Sequence, residues 1–155
     1  YVDTAFAARI AAPYYARYSK GMSYGNHVDD PVMGPPNQRY RSDISITIFL
    51  NAPEAYEGGE LVINTQFGEQ KVKLNAGDAV LYPSSSTHRV AEVTKGERLV
   101  AVTWLQSTIR DPAKREILYN LSQARETLIK TSAGSQELEQ LSNGYVNLLR
   151  MWTDI

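Results

Sequence analysis

Near residue 107 the hydrophobic period of the chain changes once, from strand-like alternation to helical spacing, and this limits the architectures open to it. Before that point apolar residues come in short runs separated by turn residues. Asp43 to Leu50 is the clearest: Ile44, Ile46 and Ile48 fall on one side and Ser45, Thr47 and Phe49 on the other, as in a half-buried strand. Glu57-Gly58-Gly59-Glu60 reads as a hairpin turn leading into a strand from Leu61 to Ile63. Further strands are expected over 70–74, 78–82, 88–93 and 98–105, with turns at 75–77, 83–87 and 94–96. Many short strands at this spacing favour a sandwich or barrel, including the double-sheet jelly roll.

After residue 107 the pattern is helical. Asp111 can cap a helix with Pro112 at its first position, and Ile117, Leu121, Ala124 and Leu128 then recur along one face. A break at 131–135 containing Gly134 precedes a second stripe of Leu138, Leu141, Tyr145, Leu148 and Trp152. The fold class expected is therefore mainly β with C-terminal helices. Residues 1–106 would form the core, and 107–155 a helical extension packed on it. An alternative use of one stripe is a contact between copies of the chain, making a homo-oligomer.

At 155 residues the chain has room for one core, and its formal net charge of −1 gives no reason to expect nucleic acid or an anionic membrane as partner. No apolar run approaches the ~20 residues that span a bilayer. Cysteine is absent, which excludes disulfides, thiolate metal sites and cysteine nucleophiles and fits a reducing, cytoplasmic setting. The chain opens on Tyr1 rather than Met and shows no charged start followed by an apolar stretch, so further sequence is expected upstream of it.

The chemistry-bearing residues are few. The only two histidines, His27 and His88, come with Asp29 two residues after the first. Two imidazoles and one carboxylate on one face of a metal leave its other positions open, as non-haem Fe(II) oxygenases require. Residues two apart on a strand share a face, so His27 and Asp29 can reach one ion, with His88 supplied by pairing across two sheets. Ten residues after His88, at the expected start of a buried strand, stands Arg98, whose planar fork suits a carboxylate. A metal beside an arginine points to a dicarboxylate that chelates the metal at one end and pairs with guanidinium at the other. A cupin-like metal-binding protein without turnover would use the same histidines but leaves Arg98 unexplained. A metal-free β-sandwich interaction module would leave all four unexplained. The tyrosines Tyr14, Tyr15, Tyr18, Tyr24 and Tyr40 are read first as core and second as a substrate groove. The Pro- and Gly-rich stretch 31–37 is either a lid over the metal or a solvated connection.

His27-Val28-Asp29, His88 and Arg98 resemble the iron- and 2-oxoglutarate-dependent dioxygenases of the prolyl 4-hydroxylase type, and among them the bacterial PKHD-type hydroxylases. Tyr18, Gly21 and Tyr24, the Gly58-Gly59-Glu60-Leu61 turn, and Gly77-Asp78-Ala79-Val80 running to Pro83-Ser84 carry the resemblance over residues 14–105; the tail around Tyr145, Leu148, Leu149, Arg150 and Trp152 extends it. The resemblance implies a double-stranded β-helix in which His27, Asp29 and His88 bind Fe(II). Arg98 then binds the distal carboxylate of 2-oxoglutarate, and Tyr18 lies in the same pocket. It implies hydroxylation of a small-molecule or peptidyl substrate with O2 consumed and succinate and CO2 released, and ascorbate as a candidate reductant. Ser45, Thr47, Phe49 and Leu61 would face inward. Part of the family's N-terminal helical support is expected to be missing here. One difference is visible: Phe49 stands where some animal prolyl hydroxylases place a tyrosine that supports the cosubstrate carboxylate, leaving Thr47, another hydroxyl or water to substitute.

Overall fold

A computed structural model describes residues 5–154. They fall into two compact units, Arg9–Gln106 and a second that gathers the chain from Ser107 onward with the described residues before Arg9. Twelve strands, β1 to β12, run Ala7–Ile10, Tyr14–Ser19, Tyr24–His27, Val32–Met33, Tyr40–Arg41, Ile44–Phe49, Tyr56–Gly58, Leu61–Thr65, Gly68–Val72, Ala79–Pro83, His88–Val90 and Val93–Ser107; helices α1 and α2 follow at Pro112–Thr131 and Gln136–Trp152.

Within Arg9–Gln106 two antiparallel sheets form a jelly roll. In the larger, β12 pairs with β2, β6 and β7, and β6 pairs in turn with β10. The smaller has the order β3-β11-β8-β9. Strand β6 shows why plain alternation is an incomplete guide to the core. Its Ser45, Thr47 and Phe49 face is almost completely buried, at 0%, 3% and 1% exposure, whereas Ile46 and Ile48 are only half-buried. Polar residues occupy the deeper face because that face lines a site.

Two turns expected from the sequence are something else. Gly58-Gly59 does not close a hairpin: β7 pairs with β12 in the larger sheet and β8 with β9 and β11 in the smaller, so the two glycines carry the chain from one sheet to the other. Both have φ near +70° (71° and 67°), and a Cβ on Gly58 would lie 2.1 Å from the carbonyl oxygen of Glu92, which only glycine tolerates. Residues 94–96 are likewise no turn. They belong to the continuous strand β12, which carries an irregularity opposite β7 between Val93 and Lys95. Arg98 therefore sits inside a long strand rather than at the start of one. Residues 88–93 separate into β11 and the start of β12, in different sheets. The stretch 31–37 is partly built, since β4 and β5 pair as a two-stranded ribbon.

In the second unit Asp111 accepts a hydrogen bond from the Ala113 amide (2.8 Å) with Pro112 at the first helical position, and Ser135 caps α2 through the Leu138 amide (3.2 Å). The two helices pack on each other. The covered face of α1 runs through Arg115, Leu118, Leu121 and Leu128; of the expected stripe Leu121 and Leu128 lie on it, while Ile117 and Ala124 are exposed. Arg115 joins this face because its guanidinium donates to the carbonyls of Ile109 and Arg110, at 2.7 and 2.9 Å. On α2 all five residues of the expected stripe, Leu138, Leu141, Tyr145, Leu148 and Trp152, are half-buried, with Ser142 and Leu149 beside them. Among the described residues no helix is long and apolar enough to cross a membrane.

Candidate metal and anion site

Strand β3 ends at His27 and strand β11 begins at His88, and the two residues are register partners. The histidines are thus cross-strand neighbours within the smaller sheet, not contributions from two sheets. Directly opposed residues share a face, which brings the rings to 4.2 Å between centroids. Asp29 lies just beyond β3, with its amide donating to the carbonyl of Ser84 at 3.2 Å. Its carboxylate turns back toward the rings, so that Oδ1 is 3.8 Å from Nε2 of both His27 and His88.

The remaining polar atoms of these side chains are already engaged. Nδ1 of His27 donates to the carbonyl of Gly25 at 2.8 Å, and Nδ1 of His88 to that of Ser86 at 2.9 Å. Those bonds place the ring proton on Nδ1 and leave the Nε2 lone pairs facing Oδ1. The other carboxylate oxygen, Oδ2, accepts from the hydroxyl of Ser45 and from Nε1 of Trp104 (2.8 Å). Three unprotonated donor atoms therefore converge, within 4.8 Å of one another and too far apart to hydrogen-bond, an arrangement suited to a cation. Ser45 was expected to face inward, but neither its contact with Asp29 nor that of Trp104 was legible in the sequence, because the two residues come from β6 and β12, 16 and 75 residues from Asp29.

The same cavity, of about 230 Å³, is lined at another point by Arg98. The arginine is 2% exposed, no acidic residue pairs with it among the described residues, and its Nε has no hydrogen-bond partner. Burial lowers its pKa, opposed by nearby tyrosines, but a guanidinium stays charged. Its carbon lies 5.2 Å from the ring centroid of Tyr18 and 5.8 Å from that of Phe49. Tyr18 is the register partner of Arg98 on β2. Burial also raises the hydroxyl pKa of Tyr18 and, more strongly, of Tyr82, whose ring packs edge-on to His88 at 5.0 Å; both hydroxyls stay protonated and able to donate. Leu61, Val90 and Val102 supply apolar wall.

The tyrosines divide otherwise than expected. Tyr40 is buried, but Tyr14, Tyr18, Tyr24 and Tyr82 line the cavity, and Tyr14 and Tyr24 keep 67% and 53% of their surface exposed. Tyr14 meets Trp104 edge-on at 5.8 Å, and these two residues also border a second cavity of about 450 Å³ against the β4–β5 ribbon. Aromatic residues in this fold serve the site because the strands that carry them flank it.

Residues 13–106 match the family model described as the 2OG-Fe(II) oxygenase superfamily, and residues 112–154 match the PKHD-type hydroxylase C-terminal domain. A PKHD-type hydroxylase of Thioalkalivibrio sulfidiphilus is 53% identical over 97% of this chain and 67% of its own length; one of Thermosynechococcus vestitus is 50% identical over 91% and 63%. The chain thus spans about two thirds of these relatives. Among solved structures, a Pseudomonas putida prolyl-4-hydroxylase shares the fold with a TM-score of 0.53 at 24% identity, over 66% of this chain and 55% of that one. A Trichoplax adhaerens prolyl hydroxylase does so at 0.52 and 18%, over 65% and 46%.

Proposed function

Because this chain belongs to the PKHD-type hydroxylases, enzymes of the 2OG-Fe(II) oxygenase superfamily, we propose that His27, Asp29 and His88 bind Fe(II) and that Arg98 binds the distal carboxylate of 2-oxoglutarate, with Tyr18 beside it. The observation that carries this reading is Arg98: a guanidinium 2% exposed, without an acidic partner among the described residues, on the wall of the cavity that holds the three donor atoms. A buried unpaired charge costs several kcal/mol, which a carboxylate ligand would offset.

When bound, the iron and 2-oxoglutarate supply the oxidising chemistry, with O2 consumed and succinate and CO2 released. The chain's own residues position and protect. Gly25 and Ser86 hold the imidazoles in the tautomer that presents Nε2; Ser45 and Trp104 hold Asp29 so that Oδ1 points the same way. Leu61, Val90 and Val102 exclude water, and the rings of Tyr18 and Phe49 keep the guanidinium from solvent. No side chain has to act as nucleophile. The exposed rims of Tyr14 and Tyr24 are where a small-molecule or peptidyl substrate would enter.

The test is O2 uptake and succinate formation by purified protein given Fe(II) and 2-oxoglutarate, with extracts screened for a product heavier by one oxygen. Turnover that needs both additions and vanishes in His88→Ala is expected. Metal binding without any 2-oxoglutarate turnover, coupled or uncoupled, would leave a ligand-binding protein instead.

A further inference from the structure

Two buried side-chain atoms lack a hydrogen-bond partner among the described residues: Nε of Arg98 and the hydroxyl of Tyr56. They are neighbours by topology. Strand β7 pairs with β12 so that Tyr56 faces Gly96, and Arg98, two residues further on, is the diagonal neighbour of Tyr56 on the same face, within reach of long and aromatic side chains. The electrostatics agree, since burial raises the pKa of the Tyr56 hydroxyl while Arg98 pulls it down. Tyr56 is 3% exposed and held on several sides. A Cβ on Gly96 would lie 2.1 Å from the Ala55 carbonyl oxygen and 3.0 Å from the Tyr56 Cα, and one on Gly59 3.1 Å from its ring. Lys73 stands 4.0 Å over the ring and donates to the Tyr56 carbonyl at 2.7 Å. Two glycines with positive φ (71° and 67°) thus leave room for Tyr56 in this place. Phe49, whose ring centroid is 5.8 Å from the guanidinium carbon, has no hydroxyl to offer.

We propose that Tyr56 is the positioning residue for Arg98: a small adjustment of either side chain pairs the two orphaned atoms, so that the Tyr56 hydroxyl accepts the Nε–H, turning the two Nη groups toward the cavity and supplying the support that Phe49 cannot. The inference rests on the reading that Arg98 binds the distal carboxylate. A donor with one acceptor behind it has one orientation left, so the fork meets the incoming carboxylate already aligned.

The experiment compares two anions on Mn(II)-loaded protein by calorimetric titration: 2-oxoglutarate, and oxalate, which chelates a metal but has no distal carboxylate. Tyr56→Phe removes one oxygen and keeps the ring. It should weaken 2-oxoglutarate about tenfold, the worth of one hydrogen bond to a charged group, and leave oxalate and Mn(II) affinity within twofold. Phe49→Tyr added to Tyr56→Phe should recover part of the loss. In an Arg98→Ala background Tyr56→Phe should change nothing further. Unchanged 2-oxoglutarate affinity in Tyr56→Phe, or equal weakening of both anions, overturns the positioning role. Unchanged 2-oxoglutarate affinity in Arg98→Ala overturns instead the reading on which it rests.

Discussion

The two ends of the cavity are built on opposite plans. At the metal end every atom not aimed inward is satisfied from within the chain: Nδ1 of each histidine by a carbonyl two residues back, and Oδ2 of Asp29 by Ser45 and Trp104. At the anion end Arg98, 2% exposed, is buried like the core around it and is left without a counter-charge among the described residues. The first end is preorganised by hydrogen bonds and needs no ligand to hold its shape. The second keeps an unmet demand that a ligand of opposite charge answers. On the proposed reading, selectivity for an anion resides at the arginine, and geometry at the histidines.

The largest effect separating the ends is expected from His88→Ala. One of the three converging donors is lost, and stoichiometric Fe(II) or Mn(II) binding, measured by equilibrium dialysis, should disappear while the circular dichroism of the fold persists. Full metal binding in this variant would show that the three donors are not a site. Next comes Arg98→Ala. Loss of a bidentate charge-assisted contact should weaken 2-oxoglutarate by about 10²–10³-fold with metal affinity retained, and Arg98→Lys, which keeps charge without the fork, should fall between. Parallel loss of metal and anion would erase the distinction between the ends. Trp104→Phe is smaller: it removes only the indole donor to Asp29 Oδ2, so metal affinity should drop about tenfold, the low end for a residue that orients a ligand. An undiminished affinity would mean that Ser45 alone orients the carboxylate. Smallest is Ser135→Ala. Loss of the α2 cap should cost about 1 kcal/mol, seen as a melting temperature lower by a few degrees, with both affinities of the folded protein unchanged. A shift in either would tie the tail to that end of the cavity.

What was legible beforehand follows the range over which sequence patterns act. Alternation two residues apart marked β6, and Asp111-Pro112 with the stripes marked the helices, because those signals are local. On α1 the pattern found Leu121 and Leu128 but not Arg115, because a buried arginine, which a hydrophobic pattern treats as surface, holds a place on the covered face. Gly58-Gly59 looked like a hairpin because the glycine requirement is the same for a tight turn and for a change of sheet; only the partners of β7 and β8 distinguish them. Tyr56 and Trp104 gave no signal at all, being ordinary aromatic residues of strands whose importance lies in what they face.

Residue type and spacing, read together with the resemblance to the 2-oxoglutarate-dependent dioxygenases, singled out His27, Asp29, His88 and Arg98 as candidates. Only the tertiary structure decided that the histidines are opposed in one sheet, that Ser45 and Trp104 hold the carboxylate, and that Tyr56 lies diagonal to the arginine across β7 and β12. Register and sheet crossing set those contacts, and both arise from pairing between segments tens of residues apart, which no local period encodes.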